Sequence, residues 1–448
     1  MPAEPTGLAA PRRGSNAQIL RLAVPAFGAL IAEPLFLIAD SAIVGHLGVN
    51  QLAGVGLAAT LLQTAVGLLV FLAYSTTPAV ARLIGAGRHR DAIAVGRDGM
   101  WLALVLGLAL AVVGIFSIEP LLTAMGAQGQ VLAEAGNYLR FSLPGIPAML
   151  LVLAATGVLR GLQDTRTPLY VAAAGFALNA GLNWLLVYPV GWGVAGSAIG
   201  TSIVQWLMAA VYLVIVVRAA RREKLSLAPQ WKAVLSLTSV GGWLLLRTLS
   251  LRIAILATVL LATSQGPANL AAHQIAMTVF NLLAFALDAL AIAAQALIGK
   301  ELGAGNLAAV RTLTRKMVLW GLGFGVLTGA LVFLAAPWVG WIFTADRGVH
   351  AALSAALLAL ALGQPIAGFV FVLAGVLIGA GDARYLALVG VLCLAGYLPL
   401  LFWVESSGVE GPTALAWLWA AFAGGYLLAR AVSLGLRART DAWQRTGA

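Results

Sequence analysis

The chain has 448 residues, 61% hydrophobic and only 10% charged, with 27 Lys and Arg against 16 Asp and Glu, a formal net charge of +11. A soluble domain carries about 25% charged and about 45–50% apolar residues, so lipid must solvate much of this surface. That composition excludes a soluble globular protein, and the basic excess must be explained by position before it suggests a nucleic-acid partner.

Residues 1–15, rich in Pro, Gly and Ala, are expected to form a disordered cytoplasmic tail. Crossing the hydrocarbon core as a helix takes roughly 17–25 apolar residues. Twelve such stretches follow, at 19–46, 52–80, 92–117, 131–160, 167–188, 193–217, 235–264, 269–299, 309–343, 351–380, 385–404 and 412–436. The first contains Glu33 and Asp40 and is too long for a signal-peptide core, so no cleavable leader is expected. Backbone in lipid must satisfy its own hydrogen bonds, and the alternation of a barrel strand is absent, so the spans are helices. Cys393 is the one cysteine and lies in an apolar run, which rules out an internal disulfide.

Basic residues collect on alternate loops. Arg12, Arg13, Arg21, Arg82, Arg88, Arg90, Arg97, Arg160 and Arg166 fall on one side, as do the cluster from Arg218 to Lys232 and that from Lys300 to Lys316. Arg384 and the tail residues Arg430 to Arg445 join them, giving 23 residues against Arg347 alone on the other side. The positive-inside rule then puts both termini in the cytoplasm of a multi-pass cell (inner, cytoplasmic) membrane protein. The positive charge is a topology signal, and no nucleic-acid partner is expected.

At a fixed offset of 218 residues the chain resembles itself. Gly85-Ala86-Gly87 matches Gly303-Ala304-Gly305, Arg97 matches Arg315, Pro147 matches Pro365, and Gly161, Asp164 and Arg166 match Gly379, Asp382 and Arg384. An even number of helices per repeat gives both halves the same orientation. The expected fold is an all-α polytopic membrane protein of 12 transmembrane helices in two parallel six-helix lobes related by pseudo-two-fold symmetry. Its parts are an N-terminal lobe at 16–217, a cytoplasmic linker at 218–234, a C-terminal lobe at 235–440 and a cytoplasmic tail at 441–448. Gly321, Gly325 and Gly329 recur every fourth residue, a pattern for close helix packing, with Ala103, Gly107 and Ala111 as repeat partners.

Three acids lie within spans, Glu33, Asp40 and Asp288, and an intramembrane carboxylate is a functional candidate facing the protein interior. At a rise of about 1.5 Å per residue, Asp40 lies about 9 Å below the outer end of the first span, with Asn183 and Asn179 about 8 and 14 Å down the fifth and Thr201 about 12 Å down the sixth. One carboxylate, two carboxamides and a hydroxyl at one depth suit a cation, or shelter an Asp that loads and releases H⁺. A structural tie between the first and fifth spans is the plainer alternative. Glu33, seven residues before Asp40 and beside Pro34, is a candidate second protonation or substrate site, or part of a proline kink. Asp288 and Arg247 have similar computed depths and are expected to form a buried ion pair. The four His (46, 89, 273 and 350) form no helical pairing, so no metal site is expected apart from Na⁺ at Asp40, and no enzyme chemistry.

The segments Ala39-Asp40-Ser41-Ala42-Ile43-Val44-Gly45-His46, Thr77-Pro78-Ala79-Val80-Ala81-Arg82-Leu83-Ile84-Gly85-Ala86-Gly87 and Leu159-Arg160-Gly161-Leu162-Gln163-Asp164 resemble signatures of the multidrug and toxic compound extrusion family, nearest its DinF-like branch. The resemblance implies alternating-access antiport of amphipathic, often cationic compounds, with H⁺ or Na⁺ as coupling ion and no cofactor. It maps Asp40, Asn179, Asn183 and Thr201 onto the family's first-lobe cation site. Several relatives carry a second Asp where this chain has Asn183, a departure that favours H⁺ over Na⁺. The expected partners are small-molecule substrates and lipid, and the expected state is a monomer. Alternatives are a flippase or exporter of a lipid-linked or other metabolite in the same superfamily, or a major-facilitator-type carrier. The latter would carry a different motif between its second and third spans from Ile84-Gly85-Ala86-Gly87-Arg88-His89-Arg90-Asp91.

Overall fold

The computed structural model of the chain describes residues 16–344 and 346–447, except for the side chain of Glu33. The tail expected at 1–15 lies outside the described residues. Among the described residues, twelve helices are long and apolar enough to cross a membrane: α1 (Asn16–Gly45), α2 (Val49–Gly85), α3 (His89–Ala124), α4 (Gly129–Gly161), α5 (Arg166–Val187), α6 (Gly193–Arg222), α7 (Trp231–Ser264), α8 (Pro267–Gly303), α9 (Leu307–Phe343), α10 (Arg347–Gly379), α11 (Ala383–Ser406) and α12 (Gly411–Arg439). Each coincides with an expected span. Most run further at their ends than the apolar stretch alone.

Local interruptions have local causes. In α4, Pro144 lacks an N–H and the helix tightens into a 3₁₀ turn at Leu143–Gly145. The glycine pair Gly424-Gly425 sits in a π turn at Ala421–Leu427 of α12. α2 breaks at Leu69-Val70, where the Leu72 N–H donates to the Leu69 carbonyl three residues back. The repeat also extends to helix ends. Gly87 (φ 75°) and Gly305 (φ 72°) stop α2 and α8 in the left-handed conformation that glycine adopts without strain.

The lobes have matching internal packing. In the first, α1 lies on α5, α2 and α3 on α4, and α5 on α6. In the second, α7 lies on α11, α8 and α9 on α10, and α11 on α12. The Gly321, Gly325 and Gly329 stripe faces the carbonyls of Gly368, Gln364 and Ala361 on α10, the close packing expected of it.

The lobes meet along α2 against α8, with α1 on α8 and α7 on α2 flanking that seam. Its tightest point is reciprocal. A Cβ on Gly85 would overlap the carbonyl oxygen of Lys300, and one on Gly303 would overlap that of Arg82, residues that are themselves 218 positions apart. Both glycines sit at the end of the bundle that carries the two termini. The Arg82 guanidinium reinforces this seam by donating to the carbonyls of Ala380 (3.0 Å), Arg445 (2.8 Å) and Gly447 (3.2 Å). Gln163 crosses it as well, its amide donating to Ala296 O at 2.9 Å. The described tail is therefore docked, with Trp443 buried and Arg311 paired to Asp441 at 3.1 Å.

Because the fit leaves no room for a side chain, Gly303→Val should cost about 1–3 kcal/mol of overpacking. Thermal unfolding of the purified protein in detergent should show it as a lower melting temperature, and an unchanged melting curve would mean that the seam yields.

Candidate ion-coupling site

Asp40 stands on α1 six residues after Pro34, and only 5% of its surface is accessible. Removing a carboxylate from water is tolerable only where donors replace the solvent. Three helices supply them. The Tyr138 hydroxyl on α4 donates to Oδ2 at 2.8 Å, Asn183 on α5 donates to Oδ1 at 3.0 Å, and the Ser197 hydroxyl on α6 donates to the same oxygen. Behind this shell, Asn179 donates to Thr201 Oγ1 at 3.0 Å, and the two carboxamides bond each other at 3.3 and 3.4 Å. Asn179, Asn183 and Ser197 are all buried. Gly200 makes the arrangement possible, because a Cβ there would overlap Asn183 Oδ1.

The structure thus brings together Asp40, Asn179, Asn183 and Thr201, as the depth reckoning proposed. Ser197 and Tyr138 were missed, although both were within reach of it. Ser197 is one turn before Thr201 on the same face of α6, and Tyr138 lies nine residues, about 14 Å, inside the start of α4.

Hydroxyl groups can donate or accept. Tyr138 and Ser197 satisfy the carboxylate as donors, and either can turn to accept from the neutral acid while Asn183 continues to donate. Both protonation states therefore find partners in one geometry. Among the described residues no group of three or more His, Cys, Asp or Glu is placed to hold a metal.

The side chain of Glu33 lies outside the described residues. Asp288 on α8 and Arg247 on α7 stand within electrostatic reach of each other but make no direct ion pair, and Arg247 Nε has no hydrogen-bond partner. The ion pairs among the described residues are Arg88–Asp91, Arg97–Asp98, Arg311–Asp441 and Arg437–Asp382.

The model of the family MatE matches residues 25–185 and 245–403, one match in each lobe. The chain belongs to the MatE family. Membership makes it a membrane transporter of the multidrug and toxin efflux kind and not an enzyme. It is 31% identical to Protein DETOXIFICATION 44, chloroplastic, of Arabidopsis thaliana over 95% of this chain and 83% of the relative. It is 26% identical to a probable multidrug resistance protein NorM of Idiomarina loihiensis, over 95% and 94% of the two chains. Its fold matches the Vibrio cholerae MATE transporter VcmN in the bent form with a TM-score of 0.84 at 23% identity, covering 95% of this chain and 98% of that one. A MOP superfamily transporter from Pyrococcus furiosus gives a TM-score of 0.86 at 23% identity, with 96% of each chain covered.

Removing the hydroxyl donors separates the roles of this MatE site. Ser197→Ala and Tyr138→Phe each delete a hydrogen bond to a buried carboxylate and should cost about 1–3 kcal/mol in chemical denaturation. In the Asp40→Asn background the same changes should cost less, because no charge remains to be satisfied. Equal costs in both backgrounds would mean that the hydroxyls do not serve the carboxylate.

Proposed function

We propose that this chain is an H⁺-coupled antiporter that exports amphipathic organic compounds by alternating access, with Asp40 as the proton-loading group. The observation that carries this reading is the shell of Asp40, in which two reorientable hydroxyls and one amide can serve both the ionised and the neutral acid. A proton carrier must be stable in both states. A Na⁺ site built on a single carboxylate has less charge with which to replace the ion's water.

The three donors come from three helices, so neutralising Asp40 weakens the charge-assisted bonds that hold α1 to α4, α5 and α6. That is a local route from proton binding to helix movement. In this reading the seam at Gly85 and Gly303 faces the cytoplasm with both termini. Closing the outer end and parting this seam completes the alternation, with a monomer as the working unit. The DinF-like assignment rests on the acids of α1 and α8 and belongs to the same proposal. The expectation of cationic substrates comes from the family resemblance.

Reconstituted into liposomes and offered amphipathic dyes of either charge, the protein should transport against a gradient under an imposed ΔpH and not under ΔNa⁺ alone. Asp40→Asn should reduce gradient-driven transport to the liposome background. Retained ΔpH-driven transport in that variant would sink the proposal. Asn183→Asp supplies the second carboxylate of several relatives and should introduce stimulation by Na⁺, read as transport against NaCl at fixed pH with choline chloride as control.

A further inference from the structure

At the end of the bundle that carries both termini, α11, α12 and the docked tail form a cavity of about 360 Å³. Arg384 on α11, Arg437 on α12 and Arg445 on the tail line it together. One carboxylate, Asp382, lines it too, and it is already engaged, because Arg437 Nε donates to it at 2.7 Å. The Arg437 guanidinium also lies 4.7 Å from the Tyr385 ring centre, so ion pair and ring hold it from two sides. The Arg384 guanidinium sits 5.7 Å over the Trp243 ring of α7. Arg384 and Arg445 are both exposed, and among the described residues neither makes an ion pair.

The first lobe shows what the same positions do when they serve structure alone. Asp164, the repeat partner of Asp382, caps α5 by accepting from the N–H groups of Arg166 and Thr167, each at 3.0 Å, and Ala219 stands where the second lobe has Arg437. Asp382 makes no such cap on α11. It turns to Arg437 instead, which leaves the first amides of α11 without a side-chain cap beside the cavity. Three guanidinium groups against one carboxylate leave the cavity positive. Planar guanidinium forks match phosphate oxygens in two-point geometry. The remaining wall is apolar and faces outward: Leu388 lines the cavity and is exposed, and Leu392, one turn further along α11, is exposed as well. A basic pocket that opens onto a greasy helix face at a membrane boundary suits an acidic lipid headgroup.

We propose that this cavity binds a phosphate group, presented by an anionic phospholipid whose chains lie along Leu388 and Leu392. Arg384 and Arg445 receive the phosphate oxygens, while Arg437 stays with Asp382. The site is separate from Asp40 and does not rest on the exporter reading. It is joined to the lobe seam, because Ala380 and Arg445 both line the cavity and their carbonyls accept from Arg82 of the first lobe at 3.0 and 2.8 Å. A lipid held here braces the tail against that seam.

Native mass spectrometry of the delipidated full-length protein, titrated in detergent with phosphatidylglycerol or phosphatidylcholine, counts the lipids bound and ranks their affinity. Phosphatidylglycerol should bind first and more tightly, and Arg384→Gln and Arg445→Gln should each weaken it by about fivefold. Both arginines are exposed, so these variants should melt with the parent when no lipid is present. Added phosphatidylglycerol should raise the melting temperature of the parent more than that of either variant. Arg222→Gln, which removes an exposed charge from the end of α6 outside the cavity, should bind phosphatidylglycerol as the parent does. The proposal is overturned if phosphatidylcholine binds equally well, or if Arg222→Gln weakens binding as much as the cavity variants do. A melting temperature raised by inorganic phosphate, with no preference between the two lipids, would assign the cavity to a soluble phosphate and overturn the lipid.

Discussion

A carboxylate inside a membrane span is costly unless donors replace the water it loses, and the first lobe is arranged around that cost at Asp40. Its oxygens are met by Tyr138, Asn183 and Ser197, from α4, α5 and α6, so the group that is hardest to bury also ties α1 to the rest of its lobe. Gly200 keeps the space that Asn183 needs, and Asn179 with Thr201 holds Asn183 in place. In the proposed mechanism, structure and switch are one network. Changing the charge on Asp40 changes the strength of three interhelical contacts at once.

The second lobe shows what the same scaffold does without an acid. At the repeat offset, Asp40, Asn179, Asn183 and Thr201 become Thr258, Tyr397, Leu401 and Trp419, and the two missed donors Tyr138 and Ser197 become Ala356 and Leu415. The space fills with rings: Tyr397 lies 5.3 Å from Tyr426, and Trp419 lies 5.9 Å from Phe422, centre to centre. One hydrogen bond survives, Thr258 to Tyr397 at 2.8 Å. That packing has no charge to change at the position of Asp40. The acid and arginine that the second lobe does carry inside its spans, Asp288 and Arg247, lie on α8 and α7, helices that meet α2 between the lobes.

Much of this was legible in the sequence because the bilayer imposes a length on each span and a side on each basic residue. The twelve helices and the shared depth of Asp40, Asn179, Asn183 and Thr201 follow from counting residues at a helical rise. Ser197 escaped because an isolated Ser or Thr hydroxyl in an apolar helix usually bonds its own backbone, as those of Thr258 and Ser250 do here. The expected ion pair between Asp288 and Arg247 failed for a different reason. Equal depth fixes height along the membrane normal but not rotation about each helix, and contact needs both. The break in α2 at Leu69-Val70 has no proline to announce it, so only the packing of both lobes reveals it.

The central claim is that Asp40 itself takes up and gives up the proton. Difference infrared spectroscopy of the reconstituted protein across a pH titration addresses that group directly. The account predicts a protonated-carboxyl stretch that grows as pH falls, is missing in Asp40→Asn, and keeps its titration when Na⁺ replaces K⁺. A band that is unaffected by Asp40→Asn, or that Na⁺ suppresses at constant pH, would contradict it.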